Sequence, residues 1–166
     1  IGKHGISAFI VDTKSPGITC SAPIEKIGMR ASATGEVCFQ HCVVPESCLL
    51  GQLNTGLGML MQGLDYERVI LSAGPVGIMQ RCLDMLLPYI TRRQQFNKPL
   101  SDQPLIQKKI ADIYSWLQQS KHNLLCQAKA CDENQISRQD AAAIFYLSAQ
   151  YAVKAADETI QCLGAN

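Results

Sequence analysis

The chain reads as an α+β protein, a short region of antiparallel strands followed by long amphipathic helices that form an incomplete bundle. Three observations carry that reading. Up to about residue 45, apolar residues come in short runs or alternate with polar ones, the period of a half-buried strand. From Asn54-Thr55-Gly56 onward the pattern turns helical and stays so. The helical part then divides into three long stretches, one short of a four-helix bundle. The division falls at residue 50, with a strand region over 1–50 and a helical region over 51–166.

In chain order, Ile6 to Val11 is an apolar run ended by Lys14-Ser15-Pro16-Gly17. Val37, Phe39, His41 and Val43 alternate with Cys38, Gln40 and Cys42, and Pro45-Glu46-Ser47 closes that strand as a turn. Helix one runs from about Leu57 to Arg92 with Pro75 and Pro88 inside; each proline removes a backbone donor, so bends are expected there. Helix two takes Ser101 or Asp102 as its cap and Pro104 in its first turn. It carries Leu105, Ile106, Ile110, Ile113, Leu117, Leu124, Leu125 and Ala128 inward. Ser137-Arg138-Gln139-Asp140 resembles a capping box and starts helix three, which runs through Ala141 to Leu163 and ends at Gly164. A fourth helix, or a partner subunit, is expected to cover the open face.

Composition narrows the function classes. A net charge of +1 with no basic cluster argues against a nucleic-acid partner. The eight cysteines are scattered without a CxxC pair, which favours reduced structural thiols over a disulfide frame or a zinc site. His41 has no second histidine or thiolate at ligand spacing, so a satisfied structural imidazole is expected and no metal. No apolar run approaches the roughly 20 residues of a membrane span. The chain starts Ile1-Gly2-Lys3-His4 and stops at Gly164-Ala165-Asn166, which reads as an internal piece of a longer polypeptide, so a missing targeting segment says nothing of location.

Glu67 is the residue that points to chemistry. Helical steps from it meet Leu60, Gly63, Leu64, Ile70, Leu71 and Gly74, so its face is apolar or empty. A carboxylate there would lose hydration, which disfavours the anion and prepares it to take a proton from carbon. The alternative is a surface glutamate beside an Asp65–Arg68 pair at i, i+3. Both readings stand on periodicity alone.

The wording around Glu67 adds a resemblance. Gly63-Leu64-Asp65-Tyr66-Glu67-Arg68-Val69-Ile70, continuing through Gly77 and Gln80 to Pro88-Tyr89-Ile90, resembles the acyl-CoA dehydrogenase family, nearest to its isovaleryl branch. Lys26-Ile27-Gly28-Met29-Arg30-Ala31-Ser32, then Val43-Val44-Pro45 and Leu50-Gly51, is similar to the end of that family's middle β-domain. Arg93-Gln94-Gln95-Phe96 and Gln161-Cys162-Leu163-Gly164 resemble its two flavin-contacting stretches.

The resemblance implies the last part of a β-domain and most of a C-terminal four-helix bundle, without the N-terminal helical domain, the strands carrying the main flavin-ring contacts and the last helix. It implies FAD-dependent α,β-dehydrogenation of an acyl-CoA, isovaleryl-CoA to 3-methylcrotonyl-CoA in leucine breakdown, with Glu67 as base. Asp65, Tyr66 and Arg68 are implied to line the acyl-CoA pocket with it. Arg93 and Phe96, the position of Pro104, and Gln161, Cys162, Leu163, Gly164 and Ala165 are implied flavin contacts, some serving a neighbouring subunit. A homotetramer in the mitochondrial matrix, passing electrons to electron-transfer flavoprotein, is implied as well. Four positions depart from the family pattern. Gly58 replaces an aromatic that lines the acyl pocket, Pro104 a glutamine, Asn97 the glycine after Phe96, and Ala165 a second glycine. A dehydrogenase of longer acyl chains, or a non-catalytic relative keeping the bundle for assembly, therefore stays open.

Overall fold

A computed structural model describes residues 5–165. The chain divides into two compact units, Ile1–Met61 and Gln62–Asn166, the division falling inside the first long helix.

In the first unit, β1 (Ala8–Phe9) pairs antiparallel with β4 (Leu49–Leu50), and β2 (Ile18–Cys20) with β3 (Val37–Phe39). Only two residues of the predicted Ile6–Val11 strand are in a ladder. The predicted alternation past Phe39 also stops short. His41 sits at φ +48°, which turns the chain out of the ladder, and its ring is exposed where a satisfied imidazole was expected. Gly17 explains the tightness of that corner: its φ is +84°, and a Cβ there would lie 2.4 Å from the Gln40 carbonyl oxygen. The turn expected at Pro45-Glu46-Ser47 is a 3₁₀ turn over Glu46–Cys48.

Helix one is two helices, α1 (Gly56–Leu71) and α2 (Ala73–Arg92). The break comes at Ser72, three residues before Pro75, because a proline crowds the carbonyl four residues earlier and offers it no donor. Ser72 itself stays bonded to the end of α1. Its Oγ donates to the Arg68 carbonyl at 2.7 Å, and its N–H is shared between the Arg68 and Val69 carbonyls at 3.2 Å. Pro88 lies inside α2 without ending it. The run Gly56–Arg92 is, by length and composition, apolar enough to cross a membrane, although charged and polar residues interrupt it and no unbroken apolar run had been expected to reach that length. Met79, Leu83, Leu86 and Ile90 of α2 are nevertheless buried in a protein core, against Ile113 and Leu117 of α3.

A tight hairpin, β5 (Gln94–Gln95) and β6 (Lys98–Pro99), separates α2 from α3. Phe96 and Asn97 form its two-residue turn at φ +54° and +61°, the positive values such turns require. Asparagine tolerates this conformation; phenylalanine rarely adopts it.

Helix α3 spans Pro104–Asp132, with Pro104 as its first residue. The expected cap is not used: Leu100–Asp102 is a 3₁₀ turn and Gln103 takes the cap position without a side-chain bond. Leu105 and Leu125, both expected inward, are exposed. Ile106, Ile110, Ile113, Leu117 and Leu124 form the stripe that faces the bundle, and at about 100° per residue Leu105 and Leu125 lie off it on either side.

Helix α4 spans Arg138–Leu163 and starts as predicted, Ser137 Oγ accepting from the Asp140 N–H at 3.1 Å. Its buried stripe is mostly small: Ala141, Ile144, Ser148, Ala152, Ala155, Thr159 and Cys162. It ends as predicted at Gly164, whose φ is +72°. Helices α2, α3 and α4 all touch one another, and the Lys109–Glu158 ion pair ties α3 to α4. Tyr114, Tyr146, Val153 and Ile160 stay exposed outside that core. Removing the α4 cap by Ser137→Ala should lower stability by about 1 kcal/mol, read as a reduced denaturant midpoint with an unchanged m-value.

Candidate active site

Helix geometry splits the Asp65-Tyr66-Glu67-Arg68 turn between two directions. Asp65 is only 8% exposed and uses both carboxylate oxygens: Arg68 Nη1 donates to Oδ1 and Arg138 Nε to Oδ2, each at 3.1 Å. The hydroxyl of Tyr66 donates to Asn134 Oδ1 at 3.1 Å and approaches the Cys131 carbonyl oxygen at 3.4 Å. These two side chains are engaged by the α3–α4 connection and the start of α4. Glu67 is exposed and has no hydrogen-bond or ion-pair partner among the described residues.

The surroundings expected for Glu67 are present, but its desolvation is not. Gly63, Ile70, Leu71 and Gly74 are exposed around it and Leu64 is half-buried, so within the described residues the carboxylate keeps its water. Beside this stripe, a groove of about 460 Å³ runs between the α1–α2 junction and α3, lined by Tyr66, Val69, Ile70, Ala73, Leu124 and Ala128 among others. Gly58 stands on α1 with nothing within 4 Å of where a Cβ would be.

A second cluster forms where α2 and α4 end. Arg93, Cys162, Leu163, Gly164 and Ala165 line one cavity of about 350 Å³ with Tyr89, Gln95 and Leu100. Tyr89 pins the two helix ends together, its hydroxyl donating to the Leu163 carbonyl at 3.1 Å. Gly164 N–H is already given to the Ile160 carbonyl. Arg93 is exposed at the C-cap of α2 with no ion-pair partner among the described residues. Phe96 at the hairpin tip, Pro104 and Gln161 are exposed and do not line that cavity. No group of three metal-binding side chains occurs among the described residues.

The comparisons with known proteins give these two clusters a context. Residues 54–166 match the family model described as the acyl-CoA dehydrogenase C-terminal domain. The chain belongs to the acyl-CoA dehydrogenase family. It is 44% identical over 165 residues to a mitochondrial 2-methylacyl-CoA dehydrogenase of Solanum tuberosum and 43% identical to a mitochondrial isovaleryl-CoA dehydrogenase of the same plant. Each alignment covers 99% of this chain and 40% of the relative, so the chain spans about two fifths of the curated proteins it matches. Among solved structures, PigA with FAD and proline superposes with a TM-score of 0.93 at 27% identity, covering 99% of this chain and 43% of that one. A glutaryl-coenzyme A dehydrogenase in complex with glutaryl-CoA gives 0.91 at 32% identity, covering 99% and 42%.

Within this family domain, the sequence reading missed Arg138, Asn134 and Tyr89 as residues that touch the clusters. No local signal marks them, since Asp65 and Arg138 are 73 positions apart and Tyr89 and Leu163 are 74 apart. Burial pushes the Cys162 thiol pKa up, with smaller opposing effects from Lys109 and Glu158. A raised pKa leaves less thiolate at neutral pH, so native Cys162 should alkylate slowly and react freely only in denaturant. Mass mapping of iodoacetamide-labelled peptides reads that difference.

Proposed function

We propose that these residues supply the catalytic base of an FAD-dependent acyl-CoA dehydrogenase acting on a short branched acyl-CoA, isovaleryl-CoA first. The observation that carries the proposal is Glu67, a carboxylate without a partner among the described residues, set in an exposed apolar stripe while the neighbouring Asp65 is fully paired. The proton next to a thioester carbonyl is weakly acidic, and a positioned carboxylate is the group to take it. Substrate covering the stripe excludes water from Glu67 and strengthens it as a base.

Bound FAD would supply the redox chemistry, taking up hydride from the neighbouring carbon, and the product would be 3-methylcrotonyl-CoA. The second cluster suits such a cofactor. An exposed arginine beside the main chain of 163–165 offers a charged fork to a pyrophosphate, in a cavity walled by Tyr89 and Leu100. Neither Pro104, which brings no side-chain donor, nor the exposed Gln161 adds to that cavity, so Arg93 and the end of α4 carry the reading. Electron-transfer flavoprotein as acceptor and a homotetrameric assembly follow from the family resemblance. The mitochondrial matrix as location follows the mitochondrial relatives.

Gly58 favours a second reading, a preference for longer acyl chains. A side chain at that position meets no obstacle, so its absence leaves space rather than relieving a clash.

Two substitutions in the full-length protein test these readings. Glu67→Gln should retain flavin yet lose about 10²- to 10⁴-fold in the rate at which acyl-CoA bleaches it; near-normal bleaching removes Glu67 as the base. Gly58→Phe adds a side chain of about 150 Å² or more and should raise the ratio of kcat/KM for isovaleryl-CoA over octanoyl-CoA. An unchanged ratio separates position 58 from chain-length choice.

A further inference from the structure

The two residues before Glu67 are tied to residues far from them in sequence. Asp65, two positions before it, is buried and joined to Arg138, the first residue of α4. Tyr66, immediately before it, is joined to Asn134 and to the Cys131 carbonyl oxygen at the end of α3. The anchors are themselves fixed. Ser137 caps α4 one residue before Arg138, and Asn134 holds φ +54° in the connection. A rotation of this part of α1 about its axis, or a slide along it, breaks the Asp65–Arg138 pair and the Tyr66 hydrogen bonds together.

Building on the assignment of Glu67 as base, we propose that the α3–α4 connection is a clamp that aims Glu67, with Arg138 and Asn134 as positioning residues acting through Asp65 and Tyr66. The competing role for Asp65 and Tyr66 is direct contact with substrate, as the family resemblance implies. Geometry weighs against it. Both Asp65 oxygens are occupied at 3.1 Å in a side chain with little exposed surface, so a ligand would have to displace an arginine to reach them. The clamp has a clear chemical use, because proton abstraction needs the carboxylate within about 2.6–3.2 Å of its target. A misplacement of about 1 Å costs on the order of 10²-fold.

The test uses full-length, flavin-loaded protein, with rates normalised to bound flavin so that partial unfolding does not count as lost chemistry. Arg138→Met should lower kcat about tenfold or more with KM within about twofold, and Arg138→Lys should recover part of it. Asn134→Ala, in the exposed connection, reads the second tie independently and should lower kcat in the same direction. In a Glu67→Gln background, Arg138→Met should add nothing. Unchanged kcat in both Arg138→Met and Asn134→Ala overturns the clamp, as does a raised KM at constant kcat, which is the mark of lost substrate binding. An active Glu67→Gln overturns the base assignment itself. An inactive Glu67→Gln beside full-rate Arg138→Met and Asn134→Ala overturns only the clamp.

Discussion

Close approach of α4 to its neighbours is the constraint on which both site clusters depend. Its buried stripe is largely alanine, serine and threonine, and small side chains let helix axes draw near. The bulk of the core then comes from α2 and α3, whose Met79, Leu86, Ile90, Ile113 and Leu117 fill the space that α4 leaves. At 1.5 Å per residue, its 26 residues make a rod of about 39 Å. The two ends of that rod serve different clusters. Arg138 at one end meets Asp65 of α1, and Leu163 at the other meets Tyr89 of α2. A single helix thus sets the carboxylate turn and the arginine cavity in register with one packed core.

Sequence periodicity reached the helices and their ends well, and the reasons are local. The Ser137 cap and the Gly164 stop each depend on a few neighbouring residues, which a linear pattern contains. The break at Ser72 was half legible: Pro75 announced a disruption, but its clash acts one turn upstream of the ring. Leu105 and Leu125 misled because hydrophobicity alone does not fix an angle about the helix, and the stripe from Ile106 to Leu124 leaves both aside. The short strands were least legible. Gly17 and His41 bend the chain out of the ladder by backbone conformation rather than by pattern.

At the site, the residue types were legible and their directions were not. The four-residue turn reads as one unit in sequence, yet Asp65 and Glu67 are about 200° apart on a helix and face different surroundings. Arg138 could not be paired with Asp65 from sequence, since only the folded bundle brings the start of α4 to α1. The apolar character around Glu67 was visible, whereas its hydration depends on what covers the stripe, which no periodicity encodes. Arg93 and the end of α4 entered through family resemblance; the cavity they share depends on the Tyr89 hydroxyl.

The hairpin between α2 and α3 places a bulky side chain where the backbone favours glycine or asparagine. Phe96 is 88% exposed at φ +54°, a conformation costing a bulky L-residue about 1 kcal/mol or more relative to glycine. Among the described residues the ring gains no burial there, and the backbone conformation is not an easy one for it. Glycine or asparagine at position 96 would relieve the backbone without giving up any burial among the described residues, so the tip is the one turn of the helical region where side chain and backbone conformation disagree.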